Sequence, residues 1–262
     1  MPIRVGIGGW VYAPWRGTFY PKGLAQAREL AHASRSLTTI EINGTFYGAQ
    51  KPESFRRWAA ETPDDFVFSL KGPRFATHRP ALAEAGPSIE RFFGSGALEL
   101  GDKLGPVLWQ LPPTKAFKPD DFAAFLALLP RELDGRPIRH AVEAAHASFQ
   151  VPEFVTLMRK FSAAIALIDS PKQALLADVT GDFLYLRLQR TAEDIATGYP
   201  ADALATWAAR ARTWAQGGAP ADLPVLAPGA DSKSRRDVFI YMISGAKVRA
   251  PAAAMALIEA LK

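Results

Sequence analysis

A chain of 262 residues with 48% apolar and 22% charged side chains can bury a sizeable core, and none of its runs approaches the roughly 18 apolar residues that a membrane span needs. Its formal charge of +5 is mild and spread out, densest at RFATHR (74–79), RKF (159–161) and KSRR (233–236), so it permits a nucleic-acid or other polyanionic partner without arguing for one. Zero cysteines exclude disulfides, thiolate metal sites and a cysteine nucleophile, and MPIRVGIGG has no apolar signal core, which favours the cytoplasm.

The first strand is expected over Arg4–Gly8, leading into GGWVYAPWRGTFYP (8–21). A dinucleotide loop needs G-x-G-x-x-G running directly into a helix. Gly6 and Gly8 fit that pattern, but Val11 stands at the third glycine, Pro14 and Pro21 forbid an early helix, and no Gly-Lys-Ser/Thr follows. The stretch therefore reads as a strand followed by an aromatic lid of Trp10, Tyr12 and Trp15, with Arg16 at its rim. Such a lid either stacks a sugar or base or simply caps the fold.

Helical periodicity then covers Leu24–Ser34, followed by a strand at Thr39–Asn43, a helix at Pro52–Glu61 and a strand at Phe66–Lys71. The same alternation continues through Gly86–Leu100 (helix), Val107–Leu111 (strand), Pro119–Leu129 (helix), Arg139–Glu143 (strand), Pro152–Phe161 (helix) and Ala163–Ile168 (strand). SPKQALLADVTGD (170–182) is too short for a full helix and reads as an irregular turn before the strand at Phe183–Leu188. A helix at Ala201–Gln216, a Pro/Gly/Ala-rich insertion at 217–237, a strand at Val238–Ile243 and a helix at Ala252–Leu261 complete the chain, and prolines 52, 119, 152 and 251 stand at helix starts.

Eight strands alternating with helices predict one (β/α)8 TIM-like barrel over residues 1–262, with a doubly wound open sheet as the alternative. The 217–237 insertion precedes a strand, so it belongs at the end of the barrel opposite the usual site. Because side chains alternate across a strand, Ile40 and Ile42 suit the helix side and leave Glu41 and Asn43 pointing inward. The same logic turns Ser69 and Lys71, Glu143, and Tyr185, Arg187 and Gln189 inward, sends His140 outward, and puts Leu167 and Asp169 on one face. Gln110 ends the fourth strand. Polar groups thus gather at strand C-terminal ends, where barrel enzymes place their chemistry.

The candidate catalytic set is Glu143, Lys71 and Glu41, with Glu143 as a general base. Trp10, Tyr12, Trp15, Arg16, Asn43, Tyr47, Arg74, His78, Gln110, His146 and Arg187 are the candidate binding residues; Lys71, Arg74 and Arg187 suit an anion, and His78 and His146 titrate near neutrality. The competing reading of the same charges is a compensated polar plug without turnover. Four scattered histidines make a multi-metal site poor, and no motif calls for a cofactor.

Several stretches in a fixed order carry a family resemblance: GGWVYAPWRGTFYP, TIEINGTFYG (39–48), FVFSLKGPRFATH (66–78), LGPVLWQLPP (104–113), RHAVEAAH (139–146), FLYLRL (183–188) and APAAAMALIEAL (250–261). Over nearly its whole length the chain resembles the domain-of-unknown-function 72, or YecE-like, family. That resemblance implies a TIM-like barrel and no established activity; likeness to sugar isomerase and abasic-site endonuclease barrels is one of fold alone. Three segments depart from the family pattern. The usual Phe-Arg-His-Pro-Ser-Trp is here 144–149 (AAHASF), the usual Arg-Leu-His-Gly is 187–190 (RLQR), and the usual Phe-Asn-Asn-Asp is 242–245 (MISG). All three fall at expected strand ends, so an altered or lost site is implied. The functions left open are a hydrolase or lyase for a polar or anionic small molecule, a nucleic-acid-binding or repair protein, and a non-catalytic ligand-binding barrel.

Overall fold

Alternating apolar strands and amphipathic helices order themselves as the periodicity requires. The computed structural model describes residues 2–229 and 234–262; part of the 217–237 stretch and Lys233, the first residue of the KSRR run, lie outside the described residues. In chain order the elements are β1 (Ile3–Gly8), α1 (Glu29–Ser36), β2 (Thr39–Ile42), α2 (Gly44–Tyr47), α3 (Pro52–Glu61), β3 (Val67–Lys71), α4 (Arg74–Thr77), α5 (Gly86–Gly94), β4 (Leu104–Gln110), α6 (Pro119–Leu128), β5 (Glu132–Leu133), β6 (Arg136–Pro137), β7 (His140–Glu143), α7 (Pro152–Lys160), β8 (Ala164–Asp169), β9 (Phe183–Leu188), α8 (Ala201–Ala215), β10 (Asp237–Met242) and α9 (Ala250–Ala260).

Eight parallel strands close in the order β1-β10-β9-β8-β7-β4-β3-β2. Closure of β1 on β10 from Ile3↔Val238 to Ile7↔Met242 excludes the open doubly wound sheet. Two helices differ from their expected spans: the 24–34 segment is a 3-10 turn at Gln26–Arg28 followed by α1, and the 86–100 segment breaks after α5. Gly96 takes φ 109°, a left-handed backbone, and a shorter 3-10 turn over Ala97–Lys103 follows. The β5–β6 hairpin turns at Asp134 and Gly135, both at positive φ, the geometry an Asp-Gly pair supplies.

Two apolar layers form. Val5, Ile7, Ile40, Ile42, Phe68, Leu70, Trp109, Val142, Leu186 and Leu188 pack outward against the helices, while Val67, Leu108, Ala141, Ala166, Ile168, Phe183, Tyr185, Phe239 and Tyr241 fill the lumen. His140 lies in the outer layer, where its Nδ1 accepts from the Trp109 indole at 3.0 Å and its Nε2 meets the Pro130 carbonyl at 2.7 Å. Burial pushes its pKa down to about 4, so it is the neutral ring that packs here. Mid-lumen, the Tyr241 hydroxyl meets Thr39 Oγ1 at 3.0 Å and Ser69 Oγ.

At the strand N-terminal end, the Asp178 carboxylate accepts from the amides of Leu226 and Ala227 at 2.9–3.1 Å, tying the 170–182 connection to the described part of the insertion. Asp178 is 3% exposed. Asp178→Ala leaves two amides without acceptors, and we expect a loss of about 1–3 kcal/mol in chemical denaturation. Hydrogen exchange at Leu226 and Ala227 should rise at least tenfold, with the barrel strands unaffected. Among the described residues no helix is long and apolar enough to cross a membrane.

Candidate functional site

Strand alternation brings polar side chains from five strands to the C-terminal end of the lumen. Glu41 (β2), Lys71 (β3), Gln110 (β4), Glu143 (β7) and Arg187 (β9) meet there, and the four charged ones are only 0–7% exposed. Arg187 holds the group together. Its Nε and Nη2 donate to Glu41 Oε2 and Oε1 at 3.1 and 3.0 Å, a bidentate pair, and its Nη1 donates to Glu143 Oε2. Tyr185 donates to Glu41 Oε2 at 2.7 Å, and Gln110 Nε2 to Glu143 Oε1 at 2.9 Å. All four carboxylate oxygens are therefore engaged.

The electrostatics follow from that geometry. Burial alone would lower the Arg187 pKa, but Glu143 and Glu41 outweigh it and raise it well above the ordinary value. Burial and then Glu41 raise the Tyr185 phenol, so it stays protonated as a donor. Lys71 moves the other way: burial lowers its pKa and the Arg187 charge lowers it further, against weaker pulls from Glu41 and Glu143. Its Nζ stands 4.1 Å from the centre of the Phe46 ring.

Above this cluster opens a cavity of about 820 Å³, lined by Trp15, Asn43, Tyr47, Lys71, Gln110, Glu143 and Arg187 among the expected residues. Lys172, Gln173, Ser170 and Lys247 join the wall without having been anticipated. They lie on the loops after β8 and β10, where no periodicity marks a direction; their position after a strand C-terminus is the signal that points to the mouth. Ala145, Gln189, Met242, Ile243 and Ser244 also line it, so residues from the 144–149, 187–190 and 242–245 segments face the cavity.

Other expected residues lie elsewhere. Trp10 turns outward against Trp58 and Phe68, at ring-centre distances of 5.3 and 6.4 Å, instead of over the mouth. Trp15 is buried, its indole donating to the Lys247 carbonyl at 2.9 Å. Tyr12 packs edge-on to Trp15 and carries the Lys247 ammonium 4.6 Å above its ring, behind the wall. Arg16 pairs with Glu29 at 2.7 Å and Gln26 at 3.0 Å, on the α1 side and not at the rim. Arg74 is exposed over Phe75, and His78, exposed beside Thr77, has its pKa lowered by burial and by Arg74. His146 Nδ1 accepts from the Ser148 backbone and meets its hydroxyl, capping a turn. Trp15 remains part of the cavity wall, but Trp10, Tyr12, Arg16, Arg74, His78 and His146 do not line it. Asp169 follows Leu167's face and pairs with Arg190 at 2.6 Å. Glu41 lies beneath Arg187, one layer below the wall.

Gly6 and Gly8 also face the lumen. A Cβ on Gly6 would stand 1.8 Å from the Thr39 carbonyl oxygen, and one on Gly8 would stand 2.5 Å from Ile243 Cδ1. Close approach of the β2 backbone explains Gly6, whereas at Gly8 the near atoms are the side-chain tips of Ile243 and Asn43. Among the described residues no three His, Cys, Asp or Glu side chains are grouped to hold a metal ion.

The curated proteins similar to this chain include the UPF0759 protein YecE of Escherichia coli K12, 31% identical over 150 residues, and the UPF0759 protein YunF of Bacillus subtilis 168, 26% identical over 173 residues. Those matches cover 56% and 64% of this chain and 50% and 59% of the two relatives, so the chain spans little more than half the length of the curated proteins it matches. A crystal structure of a DUF72 family protein from Thermotoga maritima superposes with a TM-score of 0.76 at 18% identity, covering 100% of this chain and 99% of that one, which shows the shared fold. The family model described as protein of unknown function DUF72 matches residues 4–262, and with nearly the whole chain so matched, this protein belongs to the DUF72 family.

Proposed function

We propose that the barrel mouth binds a small anionic molecule and acts on it by proton transfer, with Glu143 as the group that takes up the proton. One observation carries this reading. The cavity wall holds four cations, Lys71, Lys172, Arg187 and Lys247, against one carboxylate, Glu143. Arg187 offsets only one of the two carboxylates Glu143 and Glu41, so with Lys71 counted as an amine it is the two rim ammonium groups, Lys172 and Lys247, that leave the pocket positive; none of the three lysines has a carboxylate within 4 Å among the described residues. An excess of positive charge inside a low-dielectric cleft favours an anion. Lys172 and Lys247 are exposed at the rim, so they steer and hold the anion, and Lys71 meets it on the floor.

The test is thermal unfolding with inorganic phosphate, 3-phosphoglycerate, citrate, a short DNA duplex and the uncharged polyol erythritol. A small anion should raise the Tm in a dose-dependent way, as binding to the folded state requires, and the rise should fall with added salt. Replacing both Lys172 and Lys247 by Ala should weaken that binding at least tenfold without moving the unliganded Tm. Equal shifts from erythritol, or none from any small anion at millimolar concentration, would overturn the reading. A shift from DNA alone would favour the nucleic-acid alternative. The fully engaged oxygens of Glu41 and Glu143 favour the compensated plug as the second reading, and it predicts no shift from any probe.

A further inference from the structure

We infer that Lys71 is a nucleophilic amine and that the anion it meets carries an aldehyde or ketone, which it captures as an imine. This rests on the anionic pocket proposed above and adds the reacting group. Lys71 projects from the last position of β3 into the cavity floor, 7% exposed, with its Nζ over the Phe46 ring. Among the described residues the nitrogen makes no ion pair within 4 Å and no hydrogen bond. The carboxylates whose charge reaches it are both occupied: Glu41 by Arg187 and Tyr185, Glu143 by Arg187 and Gln110. Arg187 also adds a second positive charge to the same floor.

Other lysines show the contrast. Lys103 donates to Ala59 O, Thr62 O and Thr62 Oγ1 at 2.6, 2.7 and 3.2 Å, and Lys115 donates to the carbonyls of Arg79 and Pro80. Carbonyl and hydroxyl acceptors occupy those two nitrogens. Lys247, like Lys71, stands over aromatic faces and has its pKa lowered by burial, but it is exposed at the rim and not on the cavity floor. Lys71 alone among the four combines burial, a cavity-facing nitrogen and no acceptor, the setting in which a lysine becomes a nucleophile.

The Nζ lone pair attacks the carbonyl carbon and the C=O π pair moves to oxygen; Glu143 ferries one proton from nitrogen to that oxygen, and a hydronium ion from solvent supplies a second, becoming water. The C–O bond then breaks, water leaves, and the nitrogen lone pair forms C=N⁺. The resulting iminium draws electrons from a neighbouring bond, and where that bond is C–C its cleavage is a lyase reaction.

Pyridoxal 5′-phosphate, an anionic aldehyde, is the probe, with its alcohol counterpart pyridoxine 5′-phosphate as a competitor that forms no imine. After borohydride reduction at pH 7.5, peptide mass mapping should find one label per chain at Lys71, formed at least tenfold faster than at any other lysine and suppressed by the alcohol. Lys71→Met, whose unbranched side chain can keep the contact with Phe46, should fold with an unchanged circular dichroism spectrum and lose that label. Labels spread over surface lysines while the alcohol still raises the Tm would overturn the imine and leave the anion pocket standing. A Lys71 label that the alcohol fails to suppress would overturn the carbonyl anion as partner. No label at Lys71 and no Tm shift would remove both.

Discussion

Arg187→Met should destabilise the protein by about 3–5 kcal/mol at pH 7.5 while leaving its unfolding cooperative, because two carboxylates then remain in the lumen without their cation. Glu41 is 0% exposed and Glu143 5%, and Arg187 makes three of the hydrogen bonds that satisfy them. In a chain of this size that loss corresponds to roughly 10 °C in Tm. The sign of the pH dependence follows from linkage. An unpaired buried carboxyl has a folded-state pKa above its unfolded value, so the folded variant binds more protons than its unfolded chain in the window between the two. Its deficit relative to the parent is full at pH 7.5 and should shrink as the pH falls toward about 5. Adding Glu41→Gln and Glu143→Gln to Arg187→Met removes the stranded charges, and the triple variant should recover more than half of the loss. Urea titrations at both pH values measure each quantity. A deficit below 1 kcal/mol, or a triple variant no better than the single one, would show that the ion cluster is not what holds the lumen.

That cluster was legible because charged residues are costly inside an apolar strand. Glu41 stands between Ile40 and Ile42, and Arg187 between Leu186 and Leu188, so two-residue alternation assigns both to the lumen once a barrel is assumed. Lys71 and Glu143 follow by the same parity. The loops obey no such rule. Trp10 and Trp15 are five residues apart in one glycine- and proline-rich stretch; the first lies against Trp58 outside the strands, and the second supports Lys247 at the mouth. Arg16 looked like a rim residue, but the buried carboxylate of Glu29, on a helix thirteen residues later, draws it away. Lys172 and Lys247 escaped notice because a single lysine in a polar loop resembles any surface lysine until the strand ends place it. Gly96 broke an expected helix through a left-handed φ that the Ala97 to Leu100 pattern conceals.

Gly6→Ala should be the most damaging single-methyl addition in the chain, with a loss of at least about 3 kcal/mol, at or beyond the upper end of what overpacking costs. The new Cβ would sit 1.8 Å from the Thr39 carbonyl oxygen, 2.7 Å from its carbonyl carbon and 3.1 Å from its Cγ2. Two of these atoms are backbone, so no rotamer change relieves the contact. Gly6 pairs with Thr39 on one side and with Tyr241 on the other, so a shift of β1 disturbs both neighbouring ladders. It also disturbs the contact between Thr39 Oγ1 and the Tyr241 hydroxyl, immediately below the ion cluster. Gly9→Ala is the matched control. Gly9 has φ 71° with nothing within 4 Å of its added Cβ, so only the left-handed backbone penalty of about 1 kcal/mol applies. Urea denaturation of the two variants separates the explanations: a much larger loss at Gly6 means that the opening glycines exist to bring strands together. Equal losses would mean that they serve backbone freedom, and the close approach of β1 to β2 would then carry no special cost.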